Sequence, residues 1–394
     1  MDLPSFFALL TEAGQQALAA AVSLEPAEAN YLADFQHLSR SFGLDLSQAA
    51  LETAIFRREA AAKFSTASHM YFTRPALEQA TSEQVSVYRA RRFAGFELLV
   101  DLGCSIGGDL FALARTAPAL GIDLDPLRLA MARANLRALD LSSRAQLLRA
   151  NLQRGLPLRR AQNATGLFFD PARRRAGRRV HSVQAYSPPL SVIDAWLPDF
   201  PALGVKISPA VRLEQVQQYE AEIEFISLSG ELKEAVLWFG PLRSAQRRAT
   251  ILPGGYTLAD SIQPQIDLSE PLGYLVEPDP SVLRAGQVAA LAGRLQASQL
   301  DRDIAYLTTS RRQETPFARS WQVEDWIPFQ LKRLRAYLRE RNVGQVVVKK
   351  RGSPLEPEAV IRQLKLNGDQ SRVIFLTHLR GRPIAVICFS DQLE

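Results

Sequence analysis

VDLGCSIGGDL, residues 100–110, is the stretch on which the fold of this 394-residue chain turns. The apolar run FELLV leads into it and stops at Asp101. Gly103, Gly107 and Gly108 then break the chain into a tight loop, and DLFALARTA continues with helical spacing. Glycines in such a loop let the backbone enter positive φ and approach a ligand closely. The helix behind it offers N–H groups that have no partner within the helix. About twenty residues on, GIDLDP closes a second apolar strand on Asp123, where a carboxylate can accept from two ribose hydroxyls. The spacing is G-x-x-x-G-G with an acid ahead of it, which is not the dinucleotide fingerprint. Asp101 would repel a pyrophosphate and attract an amino or sulfonium group.

Outward from the loop the texture is strand alternating with helix. PLRLAMARANLRALDL is a helix, RAQLLRAN a third strand, GLFFDP a fourth and LGVKISP a fifth. AEIEFISLSG, EAVLWFG and RATILPG follow with little room for helices between them. This pattern predicts βαβ units, a mostly parallel Rossmann-like sheet and an antiparallel edge. Residues 1–95 read as a helical N-terminal region, with Phe6, Leu9 and Leu10, then Leu18, Ala21 and Val22, at helical spacing. Residues 96–255 form the sheet domain. Residues 256–318 read as a small α/β insert, and residues 319–394 as a separate small α/β domain. In the last, LKRLRAYLRERNV is a basic helix, GQVVVKKRG a strand, and PLEPEAVIRQLKLNG a helix with its stop at Gly368. SRVIFLTHL and RPIAVICF form a hairpin across Arg380–Gly381–Arg382.

Composition bounds the function. A hydrophobic fraction of 47% allows a sizeable core, and 22% charged residues is ordinary for a soluble protein. The two cysteines, Cys104 and Cys388, exclude a disulfide framework and a cysteine-rich zinc site, and fit a cytoplasmic location. MDLPSFFALLTEAGQQALAAAV lacks a basic n-region and reads as a helical start rather than a signal peptide. No apolar run approaches membrane-span length. His37, His69, His181 and His378 are scattered without ligand spacing, so no metal is expected. The net charge is +6 and is unevenly placed. Residues 331–383 hold 13 Lys+Arg against 4 Asp+Glu, and residues 173–179 hold Arg173, Arg174, Arg175, Arg178 and Arg179. Two basic clusters on a mildly acidic body fit a polyanion partner; solvated basic faces are the plainer alternative.

D-x-G-x-x-x-G followed by an acid at the end of strand two resembles motif I of the class I S-adenosylmethionine-dependent methyltransferases, with Ser105 where the middle glycine usually stands. The stretches ALEQATSEQ (76–84), VDLGCSIGGD (100–109), DPARR (170–174), VKISP (205–209), EPDPSVLRAG (277–286) and VVVKKRG (346–352) resemble a bacterial family of these enzymes with a C-terminal THUMP-like domain. The resemblance implies S-adenosylmethionine as cofactor, held by Asp101, Gly103, Ser105, Gly107, Asp109 and Asp123. Asn151, ending strand three, stands where such enzymes often bind the adenine amino group. ALEQATSEQ also resembles the segment before motif I in cap-guanosine N2 methyltransferases, which makes Gln79 and Thr81 candidate cofactor contacts. An N-capped helix with Thr81 and Glu83 as cap residues explains that segment equally well.

Asp170 and Pro171 end strand four, where amino-directed members of the family carry their catalytic [ND]-P-P-aromatic motif. Asp170 can accept a hydrogen bond from the acceptor and aim its lone pair, and alignment is most of what methyl transfer requires. No aromatic follows. Arg173 stands there instead and can stack by its guanidinium plane or bind a phosphate, with Arg174 beside it. Tyr186 in YSPPL is a candidate for stacking on a base. Lys206 can contact a substrate phosphate, pair with Asp170, or simply pack its stem. Lys349, Lys350 and Arg351, with Lys332, Arg333, Arg335 and Arg339, can form a basic face for an RNA backbone. The expected function is a methyltransferase acting on a base nitrogen of RNA. The alternatives are a protein or small-molecule acceptor, or a non-catalytic RNA-binding module that retains the pocket.

Overall fold

The computed structural model describes residues 1–159, 164–175, 178–180, 182–259 and 264–390, with backbone only at residues 174, 175, 178 and 179. It divides into two compact units: Met1–Glu222 with Glu234–Ser244, and Ile223–Lys233 with Ala245–Glu394.

The first unit opens with helices α1 (Leu3–Leu9), α2 (Glu12–Ser23), α3 (Tyr31–Phe42) and α4 (Leu44–Ala60). Side chains start the first two: Asp2 accepts from the Ser5 N–H at 2.9 Å, and the Thr11 hydroxyl from the Gly14 N–H at 3.2 Å. Helix α4 buries Ala49, Ala50, Leu51, Thr53, Ala54, Ile55 and Phe56, residues spread around its circumference. Such a helix belongs inside, and α1, α2 and α3 pack against it. Two shorter helices follow, α5 (Arg74–Gln79) and α6 (Glu83–Ala90).

The chain between α4 and α6 is tied down at several points. The Lys63 ammonium donates to the carbonyls of Leu77 (2.7 Å) and Ala80 (3.1 Å). The Glu83 carboxylate accepts from the Ser65 N–H (2.9 Å) and hydroxyl (2.6 Å). Asn135 is fully buried. Its Oδ1 accepts from the Tyr71 N–H (2.7 Å), and its Nδ2 donates to the carbonyls of Tyr71 and Ile106 (both 3.1 Å).

The sheet of this unit comprises β1 (Leu98–Leu102), β2 (Ala119–Asp123), β3 (Ala145–Arg149), β4 (Thr165–Phe169) and β5 (Leu203–Ile207). After β6 (Glu222–Leu228) the chain returns in β7 (Glu231–Trp238), whose residues from Glu234 onward belong here. The order is β7-β5-β4-β1-β2-β3. The first five strands run parallel, and β7 lies antiparallel to β5. Between them run α7 (Gly108–Thr116) and α8 (Pro126–Ala138). Strands β4 and β5 are buried along their whole length, as in a parallel sheet covered on both faces. Leu102 lies opposite Ile122 and Phe169, and Phe169 opposite Val205. The carboxyl ends of β1, β2, β4 and β5 therefore share one rim, which is where ligands sit in open α/β sheets.

In the second unit β6 pairs in parallel with β8 (Arg247–Leu252), which pairs antiparallel with β9 (Tyr256–Ala259). A seven-stranded sheet follows. Its strands are β10 (Tyr274–Pro278), β11 (Ser298–Asp301), β12 (Ile304–Thr309), β13 (Ala318–Pro328), β14 (Val343–Lys350), β15 (Gln370–Leu379) and β16 (Arg382–Phe389), in the order β11-β12-β10-β13-β16-β15-β14. The segment read from sequence as an insert thus contributes β10, β11 and β12 to the same sheet as the C-terminal strands, with the long β13 between the two sets. Alternation along β15 fills two cores: Val373 and Phe375 with Trp321 and Tyr306, and Ile374 and Leu376 with Leu334, Leu338 and Leu364. The hairpin joining β15 to β16 turns on Arg380 and Gly381, both with positive φ. Helix α9 (Pro280–Ala285) and α10 (Val288–Leu295) precede β11. Helix α11 (Leu331–Glu340) is the expected basic helix, and α12 (Pro357–Leu364) ends before Gly368, with Lys365 taking the left-handed conformation. Gly368 instead permits a close backbone crossing. A Cβ there would lie 2.0 Å from the Asn342 carbonyl oxygen, so its backbone can approach only bare.

Asn135→Ala leaves one buried donor and two buried acceptors without their partner. It is expected to cost roughly 2–4 kcal/mol, read as a lower urea midpoint, with faster amide exchange at Tyr71.

Candidate active site

Asp101 sits one residue before the end of β1 and is 1% exposed, and neither of its carboxylate oxygens has a hydrogen-bond partner. Burial pushes its carboxyl well above the usual range, and the neighbouring charges of Asp109, Asp170 and Asp123 push the same way against Arg89. Next in the loop, Gly103 has φ +87°, and a Cβ on it would lie 2.9 Å from the Asp170 carbonyl oxygen. Only glycine lets the turn after β1 approach the end of β4 so closely. Ser105 adopts φ +50°, and its N–H donates to Asp123 Oδ2 at 2.8 Å. Asp123 Oδ1 accepts from the Asp125 N–H at 2.9 Å. One carboxylate thus ties the glycine loop to the turn after β2. Gly107 caps α7.

Beneath the loop lies a buried ionic cluster. Arg89, on α6 and 2% exposed, donates to Asp109 on α7, places Nε 2.9 Å from Glu234 on β7, and lies 4.2 Å from the centre of the Phe168 ring. Lys206, also 2% exposed, donates to Asp170 Oδ2 at 2.7 Å and to the Thr81 hydroxyl at 2.8 Å. That hydroxyl also accepts from Arg89 Nη2 (3.2 Å) and donates to Asp109 Oδ2 (3.3 Å). One proton and two lone pairs are all a hydroxyl has, so Thr81 is saturated. It precedes the N-cap of α6, which is Ser82, and so does not cap that helix.

Among the described residues, the cations that act on Asp101, Asp109, Asp170 and Glu234 are Arg89 and Lys206. Burial raises the Glu234 carboxyl too, against the pull of Arg89 and Lys206, while the Arg89 guanidinium is held above its usual value by Asp109 and Glu234 despite burial. A buried site short of positive charge, with two orphaned carboxylate oxygens, fits a cationic ligand such as an ammonium beside a sulfonium.

The remaining candidates lie elsewhere around the rim or outside it. Asn151 caps a 3-10 turn, its Oδ1 accepting from the Gln153 N–H at 3.0 Å, which leaves one lone pair on that oxygen. Gln79 ends α5, two residues from Thr81. Arg173 donates from Nη1 to the Ile207 carbonyl at 3.4 Å and is partly exposed. The side chain of Arg174 and the whole of His181 lie outside the described residues. Tyr186 needs correction: it is 3% exposed and its hydroxyl accepts from the Ser208 N–H at 3.2 Å, so its ring has no free face for a base. It fastens the YSPPL loop to the end of β5 instead. Lys206 is engaged with Asp170 rather than presented to a phosphate.

In the second unit Lys349 pairs with Glu277 and lies over the Trp321 ring. Lys350 pairs with Glu356 at 2.5 Å, and Arg351 donates to the Ala305 carbonyl at 2.9 Å while covering Tyr306. These three residues knit their own unit together. On α11, Lys332, Arg333 and Arg339 are exposed. Sequence reasoning missed Arg89 and Glu234. The signal for Glu234 was a carboxylate in the otherwise apolar run EAVLWF, and for Arg89 an arginine on the inward face of a helix that also buries Val85 and Ser86.

Comparison with known proteins bears on the fold and the family. A family model described as THUMP domain-like matches residues 318–389, and a domain of unknown function matches residues 2–60. An uncharacterised S-adenosylmethionine-dependent methyltransferase of Mycobacterium tuberculosis, recorded for strains CDC 1551 and H37Rv, is 36% identical over 342 residues. The match covers 84% of this chain and 92% of the relative. The crystal structure of a protein described as a candidate methyltransferase from Porphyromonas gingivalis W83 covers 96% of this chain and 99% of its own, with a TM-score of 0.77 and 21% identity, and shows the same fold.

The raised Asp101 carboxyl fixes a sign. The folded chain keeps a proton there that the unfolded chain releases, so this contribution to stability is whole below the ordinary carboxylate pKa. It is lost as pH rises toward the raised value. Asp101→Asn is therefore expected to make ligand-free stability fall less steeply with rising pH. It should also weaken S-adenosylmethionine about 10- to 100-fold, the worth of a charge-assisted hydrogen bond. Calorimetry showing unchanged affinity would place the ligand's ammonium elsewhere.

Proposed function

The chain belongs to the S-adenosylmethionine-dependent methyltransferases, in the group with a C-terminal THUMP-like domain, and we propose that its acceptor is a base nitrogen of RNA. The observation that supports this reading most is the close approach of the Gly103 backbone to the Asp170 carbonyl, which would set the cofactor loop beside the end of β4.

S-adenosylmethionine supplies the methyl group on a sulfonium that is already a good leaving group. Asp101 would hold the ammonium of its methionine end, Asp123 the ribose hydroxyls and Asn151 the adenine, while the Gly103–Gly107 loop admits the cofactor's backbone-facing edge. Asp170 accepts from Lys206 through Oδ2, and among the described residues nothing bonds Oδ1. That oxygen would accept an N–H of the acceptor and aim the nitrogen lone pair. Its side chain is 23% exposed, so the proton displaced from nitrogen has a path to solvent. Pro171 fixes the chain direction after Asp170. Arg173, standing where an aromatic often stands, would cover the base with its guanidinium plane.

Support for RNA comes from the THUMP domain-like match and from the exposed cations of α11. A backbone grip of that kind weakens steeply with salt. The decisive experiment labels total RNA and total protein from a strain lacking this gene with tritiated S-adenosylmethionine and the purified chain. Label is expected in RNA; label in protein alone sinks the RNA reading. On the labelled RNA, Asp170→Ala should lower transfer about 100-fold by loss of alignment, with cofactor affinity nearly unchanged. Full transfer by that variant removes Asp170 from the chemistry.

A further inference from the structure

We propose that Lys206 is a positioning residue for methyl transfer, holding the Asp170 carboxylate in one orientation from a mount built by Thr81 and Arg89. The proposal rests on the reading of Asp170 as the group that meets the acceptor.

The mount is closed at every valence that matters. The Lys206 ammonium spans Asp170 Oδ2 (2.7 Å) and the Thr81 hydroxyl (2.8 Å), groups 36 and 125 residues away in sequence. Thr81 cannot rotate without breaking three hydrogen bonds at once, to Lys206, Arg89 and Asp109. Arg89 is fixed in turn by Asp109, Glu234 and the face of Phe168. Four elements therefore determine where one ammonium sits: the segment before α6, α6 itself, α7 and β7.

Stability alone does not account for this arrangement. An ion pair this buried gains little, because desolvation offsets the attraction, and an apolar residue at this position of β5 would pack as well beside Val236, its buried cross-strand neighbour on β7. The pair acts on Asp170 in two ways. It engages Oδ2 and so turns Oδ1, which nothing bonds among the described residues, toward the acceptor. It also sets a positive charge against Asp170, which lies in the field of the carboxyls of Asp101 on β1 and Glu234 on β7 as well as of the Arg89 guanidinium.

The test uses the full chain and the RNA fraction that takes tritium from S-adenosylmethionine, comparing wild type, Lys206→Met, Lys206→Arg, Thr81→Val and Asp170→Ala. Lys206→Met is expected to bind S-adenosylmethionine within about threefold of wild type and to transfer methyl about 30- to 100-fold more slowly in a single turnover. Lys206→Arg should recover at least part of the rate. Thr81→Val keeps the charge but loosens the mount, so it should lower the rate less than Lys206→Met does, again with cofactor affinity nearly unchanged. An unchanged rate in Lys206→Met overturns the proposal, as does a loss of rate matched by an equal loss of cofactor affinity. If Lys206→Met fails to fold, Lys206→Arg and Thr81→Val decide: wild-type rates in both overturn it. Full activity in Asp170→Ala would instead sink the reading of Asp170, a separate failure.

Discussion

The floor of the site is short of positive charge, and much of the first unit follows from that shortage. Asp101, Asp109, Asp170 and Glu234 are gathered around Arg89 and Lys206, in a setting where each unpaired charge is expensive. The fold answers by raising the carboxyls of Asp101 and Glu234, and by placing Phe168 under the guanidinium. A cofactor carrying both an ammonium and a sulfonium is the complementary answer.

The helical N-terminal region belongs to this picture. Helix α6 carries Arg89, and the segment before it carries Thr81, so both walls of the cluster come from outside the sheet. Asn135, Lys63 and Glu83 hold that segment against α8, the glycine loop and the end of α4. The α/β sheet supplies acids at the ends of strands, which many proteins of this architecture share. The helical segment supplies Arg89, which joins Lys206 of the sheet in making those acids tolerable to bury.

What could be read from sequence divides along a physical line. The glycine loop, Asp101, Asp123 and the strand–helix alternation are local signals, carried by a few adjacent residues, and each appears in the structure where the spacing placed it. The Arg89–Glu234 pair and the Thr81–Lys206–Asp170 chain join residues from 36 to more than a hundred positions apart, and no local pattern announces such contacts. Tyr186 misled for a related reason: an aromatic before two prolines looks alike whether its ring faces a ligand or a core. The insert misled because strand pairing, not composition, decides which strands share a sheet, and β13 is long enough to serve two sets at once.

That last feature bears on how the protein can be taken apart. The THUMP domain-like match begins at residue 318, at the first residue of β13, and leaves β10, β11 and β12 outside it. A fragment cut at that boundary would carry an eleven-residue strand stripped of its β10 neighbour, baring a row of unpaired amides and carbonyls next to the uncovered side chain of Trp321. Such an edge is a template for pairing with another copy. The smallest piece that closes its own sheet therefore begins before Tyr274, and the boundary of similarity is not the boundary of folding.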